Sequence, residues 1–153
     1  MVSSIGYAES LPAVFSRNNA KTLQKENEMK IAVVDDDVGI TGLMKHVIAR
    51  YDDTTEVVEY NSTTKFNLDI ELGNIKYDFV IMDLNFYDDV PGFVSIEKIN
   101  KFNPECRIAV LSSNINEDEE RKKEIDKVKL NVFRVYEKPM LPSAVIELIR
   151  SFA

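Results

Sequence analysis

The sequence predicts an α/β protein in which five parallel strands form one doubly wound sheet with helices on both faces. Short apolar runs rich in β-branched side chains, of which Phe79-Val80-Ile81-Met82 is the clearest, have the composition of strands that are buried on both faces. Segments with apolar residues at three- and four-residue spacing follow these runs, as amphipathic helices do. Strands that alternate with helices form parallel sheets joined by right-handed crossovers.

Composition supports one globular domain and argues against several functions. The chain has 153 residues, of which 44% are hydrophobic and 29% are charged, enough for a single domain with a buried core. Its net charge of −7 disfavours direct binding to nucleic acid, because an acidic surface repels phosphate backbones. No apolar run approaches the roughly 18 residues of a membrane span, and a signal-peptide pattern is missing. With a single cysteine, Cys106, the chain fits a reducing compartment. We therefore expect a cytoplasmic protein without membrane contact.

Residues 1–29 show no sustained hydrophobic period, and we interpret them as a flexible N-terminal extension. The predicted domain covers residues 30–153 and opens with a strand over residues 31–34. The following helix has an apolar stripe made of Ile40, Leu43, Met44, Val47, Ile48 and Tyr51.

Four further β-α units follow this first one. Their predicted strands cover residues 56–60, 77–83, 107–113 and 132–136, and their predicted helices cover residues 63–72, 92–102, 116–130 and 141–152. Gly73 and Pro104 end the first two of these helices. The segment 116–130 is almost wholly charged, so we expect a solvated helix that rests lightly on the sheet.

Charged and polar side chains stand where the apolar strands end. Asp35 and Asp36 follow the first strand, Asp83 ends the third, Ser112 the fourth, and Lys138 follows the fifth. The carboxyl ends of parallel strands are neighbours and form the ligand crevice of such sheets. Crowded carboxylates raise one another's pKa values unless a cation lies between them, and Mg²⁺ with its oxygen ligands fits best. A lysine and a hydroxyl suit a phosphoryl group, which one carboxylate could accept as a nucleophile.

This ordered set of motifs resembles the response-regulator receiver domains of two-component signalling. The motifs are Val33-Val34-Asp35-Asp36-Asp37, Phe79-Val80-Ile81-Met82-Asp83, Val110-Leu111-Ser112-Ser113 and Lys138-Pro139. The resemblance covers residues 30–153 and implies a flavodoxin-like fold with strand order 2-1-3-4-5, as in chemotaxis regulators. It also implies a phosphoacceptor that catalyses its own phosphoryl transfer and slow autodephosphorylation, and not an enzyme acting on other substrates.

The resemblance implies a metal site at the acidic motifs. Asp83 corresponds to the phosphoacceptor, and Asp35 and Asp36 correspond to the acidic pair that holds Mg²⁺ directly or through water. The backbone carbonyl of Asn85 corresponds to a further metal ligand.

The same comparison gives roles to the later motifs. Ser112 corresponds to the hydroxyl that follows the phosphoryl group on activation. Lys138 corresponds to the lysine that pairs with that group, and its bond to Pro139 is cis in the family. Asp37 has no family role, and we predict that it caps the first helix.

Two regions depart from the family pattern. After the phosphoacceptor the family has a Met-Pro pair where this chain has Phe86 and Tyr87, and its glycine corresponds to Gly92 one place late. We therefore predict an insertion of about one residue. Val135 stands where the family has its switch aromatic, and strand alternation turns the neighbouring Tyr136 to the opposite face.

The resemblance also implies partners. A histidine kinase or a histidine phosphotransfer protein would donate the phosphoryl group, and a downstream protein target would receive the signal. The chain would be a monomer or a phosphorylation-dependent dimer. Because no effector domain is recognisable, we expect output by protein contact, unless the chain is a piece of a hybrid kinase or of a longer regulator. The helix over residues 116–130, the fifth strand and the final helix form the expected contact face.

A haloacid-dehalogenase-like phosphatase is the alternative. Asp35-Asp36-Asp37 also fits the Asp-x-Asp motif of that family, with Asp35 as the nucleophile and Asp37 as the general acid. That family needs a further acidic motif downstream of its lysine, where this chain has only Glu147, and it leaves Asp83 unused. A receiver that only binds partners would lack the acceptor or the lysine, and both are present.

Overall fold

The computed structural model describes residues 28–86, 88–113, 119, 123, 126 and 132–151. Its strands are β1 (Lys30–Val34), β2 (Glu56–Tyr60), β3 (Phe79–Asp83), β4 (Arg107–Ser112) and β5 (Val132–Glu137). Its helices are α1 (Val38–Tyr51), α2 (Thr63–Leu72), α3 (Gly92–Phe102) and α4 (Pro142–Arg150). Most of the predicted extension, 1–29, and of the predicted helix, 116–130, lies outside the described residues. No helix in the described part of the chain is both long and apolar enough to cross a membrane.

The five strands form one parallel sheet in the order β2-β1-β3-β4-β5, which confirms the predicted fold class and strand order. The order changes direction between β1 and β3. The loops after these two strands therefore diverge and leave a crevice at the carboxyl edge of the sheet.

Most predicted element bounds agree with the structure to within two residues. β2, α2 and α3 begin and end as predicted. β3 begins two residues later than predicted, at Phe79, and the Tyr77 ring before it packs against the rings of Tyr60 and Phe66. β4 ends at Ser112 instead of residue 113.

Alternate residues of the central strands fill two cores. On one face the strands meet α2 and α3, and the buried side chains include Ala32, Val34, Val80, Met82, Val110, Phe66, Ile70, Ile96 and Ile99. On the other face they meet α1 and α4, and the buried side chains include Ile31, Val33, Phe79, Ile81, Leu111, Met44, Ile48, Val145 and Leu148. Because helices cover both faces, the strands are apolar without alternation.

The apolar stripe predicted for α1 is too wide. Met44 and Ile48 are buried, but Leu43 is 51% exposed and Tyr51 is 42% exposed. α1 contacts the sheet and α4 along a narrower line than the spacing implied, and Leu43 lines a pocket between α1 and α4. Leu141 was predicted inside the last helix. It is instead the N-cap residue of α4, precedes the first turn and is exposed to solvent.

Gly92 brings the start of α3 against the end of β3. Its N–H donates to the Leu84 carbonyl at 3.3 Å. A Cβ at this position would overlap the Asp83 carbonyl oxygen and lie 2.9 Å from the Leu84 Cα. Only glycine fits without moving the backbone of Asp83 and Leu84.

We predict that Gly92→Ala lowers the free energy of unfolding by about 1–3 kcal/mol, the usual cost of overpacking. The matched control is Gly42→Ala in α1, where a Cβ would meet Glu59 Oε1 at an ordinary 3.7 Å. Since alanine favours a helix over glycine, the control should raise stability by about 0.5–1 kcal/mol. Chemical denaturation of both variants measures the difference, and equal changes would contradict the close approach at Gly92.

Candidate functional site

Three carboxylates meet at the carboxyl edge of the sheet. Asp35 and Asp36 belong to the loop after β1, and Asp83 is the last residue of β3. One carboxylate oxygen from each residue lies within 4.8 Å of the other two. Asp35 and Asp83 are each only 1% exposed, whereas Asp36 is half-buried. The fold thus brings together the acidic residues singled out in the sequence.

Lys138 lies between the two buried carboxylates. Its Nζ is 2.8 Å from Asp35 Oδ2 and 3.0 Å from Asp83 Oδ2. Its backbone N–H donates to the Ser112 carbonyl at 3.0 Å, and its bond to Pro139 is cis as predicted. One ammonium group therefore links the ends of β1, β3 and β5.

Backbone amides orient the same two carboxylates. Asp35 Oδ1 accepts the N–H of Asp37 at 2.9 Å, and Asp83 Oδ1 accepts the N–H of Asn85 at 3.1 Å. The second oxygen of each group is thereby turned toward Lys138. Beyond this ion pair, Asp35 Oδ2 accepts no well-aligned hydrogen bond from the described residues, so it keeps a lone pair for a further ligand.

Asp37 is directed elsewhere. Its Oδ1 accepts the N–H groups of Gly39 at 2.8 Å and Ile40 at 3.3 Å, which confirms that it caps α1. The loop after β1 therefore divides its three carboxylates between the site and the helix.

Burial dominates the electrostatics of the site. It raises the pKa of Asp35 and of Asp83 above the usual aspartate value, although hydrogen bonds from Lys138 and from backbone amides act in the opposite direction. Burial alone would lower the pKa of Lys138, but its hydrogen bonds to Asp35 and Asp83 outweigh that effect and raise it. With Asp36 included, three carboxylates face one ammonium, and this deficit of positive charge favours a bound cation.

The donor set fits Mg²⁺. Every candidate ligand in the cluster is a carboxylate oxygen, and Mg²⁺ prefers hard oxygen donors such as carboxylates and water. Asp35, Asp36 and Asp83 would hold the ion. Asn85 lies in the adjoining loop with its N–H on Asp83, and the role of its carbonyl as a ligand stays a prediction.

Ser112 reaches the same edge at the end of β4. It is fully buried, and its backbone carbonyl accepts the N–H of Lys138. Its hydroxyl donates to the Ser113 carbonyl at 3.3 Å. The hydroxyl would have to rotate to reach a group on Asp83, so its role in phosphoryl binding also stays a prediction.

Val135 and Tyr136 on β5 point to opposite faces of the sheet, as predicted. Val135 pairs with Val110, which belongs to the core under α2 and α3, and Val135 is 38% exposed. Tyr136 pairs with Leu111 and packs against the core under α1 and α4.

Two side chains that hold the site loops were not predicted from the sequence. Asn61 donates from Nδ2 to the Asp35 carbonyl at 2.8 Å, and Asp89 accepts hydrogen bonds from the start of α2. Asn61 directly follows β2 at the same sheet edge. This position in the sequence could have indicated that Asn61 lies near the site. No sequence pattern links Asp89 to α2.

Comparison with solved structures identifies the fold. Response regulator DrrB, described as an OmpR/PhoB homolog of Thermotoga maritima, matches with a TM-score of 0.67 and 21% identity over 82% of this chain. The chemotaxis protein CheY4 of Vibrio cholerae matches with a TM-score of 0.68 and 18% identity, covering 82% of this chain and 99% of that one. The chain has the receiver fold. A LuxO-type signal receiver domain from Vibrio parahaemolyticus agrees, with a TM-score of 0.66 and 14% identity over 82% of this chain and 89% of that one.

The extent of these matches limits what the fold implies. The chain spans about half of DrrB, 52% of its length, so the activity and partners of that whole protein do not transfer with the receiver fold. No family model matches the sequence, and no curated protein matches it. The function must be argued from the site.

We predict that Asp36→Ala weakens Mg²⁺ binding at least about tenfold, a loss of roughly 1.4 kcal/mol. Asp37→Ala is the matched control, because it removes the same charge from the same loop. The Asp37 side chain caps α1 and is not a member of the carboxylate cluster. Amide chemical shifts followed during a Mg²⁺ titration give both affinities. Equal losses in the two variants would show that Asp36 is not a ligand.

Proposed function

We propose that residues 30–153 form a phosphoacceptor receiver domain of a two-component or phosphorelay system, phosphorylated on Asp83 in a Mg²⁺-dependent reaction. One observation carries this proposal. At the end of β3 in a receiver fold, a buried carboxylate stands 3.0 Å from a lysine ammonium and within one cluster with two further carboxylates. Residues 1–29 are proposed to be an extension outside the domain.

The chemistry follows from the contacts of Asp83. A carboxylate oxygen attacks the phosphorus of a phosphohistidine, the P–N bond breaks, and the electron pair leaves with the imidazole, which takes up a proton. The N–H of Asn85 holds Asp83 Oδ1 in place for this attack. When bound, Mg²⁺ supplies charge neutralisation at the phosphoryl oxygens.

Lys138 and Ser112 would stabilise the product. The Lys138 ammonium already lies against Asp83 Oδ2, so it can donate to a phosphoryl oxygen carried by that side chain. The Ser112 hydroxyl would leave the Ser113 carbonyl and donate to a second phosphoryl oxygen. Water then attacks the phosphorus, the bond to the Asp83 carboxylate oxygen breaks, and inorganic phosphate leaves. This slow autodephosphorylation returns the free carboxylate and is not turnover of an external substrate.

The proposed function requires two kinds of partner, a phosphoryl donor and a downstream target. A histidine kinase or histidine phosphotransfer protein in the cytoplasm would donate the phosphoryl group, and a downstream protein would recognise the phosphorylated chain as a monomer or a phosphorylation-dependent dimer. The support is the shared fold with response regulators such as DrrB and CheY4.

The geometry favours this function over the phosphatase. A phosphatase would need Asp37 as the general acid beside Asp35, but the Asp37 carboxylate accepts two N–H groups at the start of α1 and lies outside the carboxylate cluster. A general acid must reach the leaving group, and this side chain is occupied as a cap.

We predict that incubation with acetyl phosphate and Mg²⁺ adds one phosphate to the chain, as measured by intact mass. The adduct should disappear in Asp83→Asn and when Mg²⁺ is chelated, because both the nucleophile and the charge-neutralising ion are required. Asp37→Asn removes an equal charge outside the cluster and should keep the adduct.

Two results would overturn the proposal in favour of the phosphatase. One is a phosphate adduct that persists in Asp83→Asn and maps to Asp35. The other is multiple turnover of a phosphate monoester by the wild-type chain.

A further inference from the structure

The segment 61–64, which comprises the turn after β2 and the first two residues of α2, contacts the loop that follows β1 and the loop that follows β3. One is the acidic loop, residues 35–37, and the other is the phosphoacceptor loop, residues 84–91. These contacts lie outside the carboxylate cluster, and the chemistry proposed for Asp83 does not use them.

Asn61 fixes the acidic loop. Its Nδ2 donates to the Asp35 carbonyl at 2.8 Å and to Thr41 Oγ1 at 3.1 Å. The Asp35 N–H donates in turn to the Tyr60 carbonyl at 3.0 Å. Both backbone polar groups of Asp35 are thus bound to the end of β2, so the direction of its carboxylate is set by a fixed main chain.

Asp89 fixes the phosphoacceptor loop. Its carboxylate accepts the N–H of Thr63 at 3.0 Å, the N–H of Thr64 at 3.2 Å and the Thr64 hydroxyl at 2.5 Å. Thr63 Oγ1 donates back to the Val90 carbonyl at 2.6 Å. The loop and the start of α2 therefore exchange hydrogen bonds in both directions.

This contact supplies a cap that α2 needs. The local cap is Ser62, whose side chain accepts the N–H of Lys65 at a long 3.3 Å. The first N–H groups of a helix have no partner within it, and a negative charge at that end is favourable. Burial works against the charge on Asp89, but hydrogen bonds from Thr64, Val90 and Thr63 outweigh it and hold the pKa of Asp89 well below its usual range.

The backbone of the phosphoacceptor loop is shaped for this contact. Asp88 has a positive φ of 55°, a left-handed conformation that non-glycine residues adopt rarely. At its far end the loop is held by Gly92 against Leu84. Asn85, whose N–H binds Asp83, lies in this loop between Leu84 and Asp89.

We propose that the segment 61–64 positions the metal and phosphoryl site. Asn61 and Asp89 are the positioning residues, and they act through Asp35 and through the loop after Asp83. Neither residue is a member of the carboxylate cluster. The inference rests on the proposed function and deepens it. It states that a segment without any Mg²⁺ ligand sets the geometry of the residues that bind the ion.

The test compares Asn61→Ala and Asp89→Asn with the control Asp88→Asn. The control makes the same charge change as Asp89→Asn in the same loop, but Asp88 forms no side-chain hydrogen bond with another described residue. We expect both test variants to raise the Kd for Mg²⁺ on the order of tenfold, the usual effect of losing a partner that orients a ligand. Amide shifts during a Mg²⁺ titration give the Kd, and the initial rate of acetyl phosphate labelling should fall at subsaturating Mg²⁺.

A conservative pair at Thr64 separates positioning from folding. Thr64 is exposed, so replacing it should leave the chain folded. Thr64→Val removes the hydroxyl that Asp89 binds and should weaken Mg²⁺ binding, whereas Thr64→Ser keeps the hydroxyl and should restore it. Thermal unfolding of each variant verifies the fold.

The inference is overturned if the variants lose stability but keep a Kd within twofold of Asp88→Asn, since the contacts would then serve stability alone. A wild-type chain that binds Mg²⁺ but never takes up phosphate would instead overturn the proposed function. The Mg²⁺ affinities would still decide the role of the segment 61–64 in that case.

Discussion

The ion pairing of Lys138 with Asp35 and Asp83 is the interaction on which the site depends. Two carboxylates that are each 1% exposed would cost several kcal/mol apiece if buried without a partner. The Lys138 Nζ, 2.8 Å and 3.0 Å from them, lets three strand ends converge in one place. The compensation is incomplete because Asp36 adds a third negative charge, and the remaining charge is what favours a divalent cation.

The sheet sets the positions of these groups, and the loops set their directions. β1 and β3 are neighbours in the sheet, so Asp35 and Asp83 leave it side by side, while β4 brings Ser112 next to Lys138. Backbone N–H groups then hold one oxygen of each buried carboxylate. Glycine at position 92 allows the start of α3 to pack closely against the backbone of Asp83. A site held in this way needs little reorganisation when a ligand binds.

Sequence periodicity predicted the strands and helices well, because both faces of the sheet are covered and every central strand is a continuous apolar run. Asp35, Asp36, Asp83 and Lys138 could be found for a related reason: a charged side chain directly after a buried strand has no packing role there. Exposure was harder to predict. Spacing alone does not tell how closely α1 approaches α4, so it could not show that Leu43 of the apolar stripe is 51% exposed. The contact of Asp89 with Thr63, 26 residues away in the sequence, arises only when two loops meet in the folded chain.

Buried, crowded carboxylates favour a bound metal ion, and a pH titration of the side-chain carboxyl ¹³C shifts tests this dependence most directly. Without Mg²⁺, the pKa values of Asp35 and Asp83 should lie above the ordinary value of about 3.9. Such raised values mean that these two groups stabilise the fold most at low pH and that their contribution is lost as the pH rises through the raised pKa values. Saturating Mg²⁺ should lower both pKa values, because it stabilises the charged forms. Asp52, whose pKa is lowered by hydrogen bonds from Thr54, lies outside the cluster and should not respond. Titrations of Asp35 and Asp83 that are unchanged by Mg²⁺ would contradict the account.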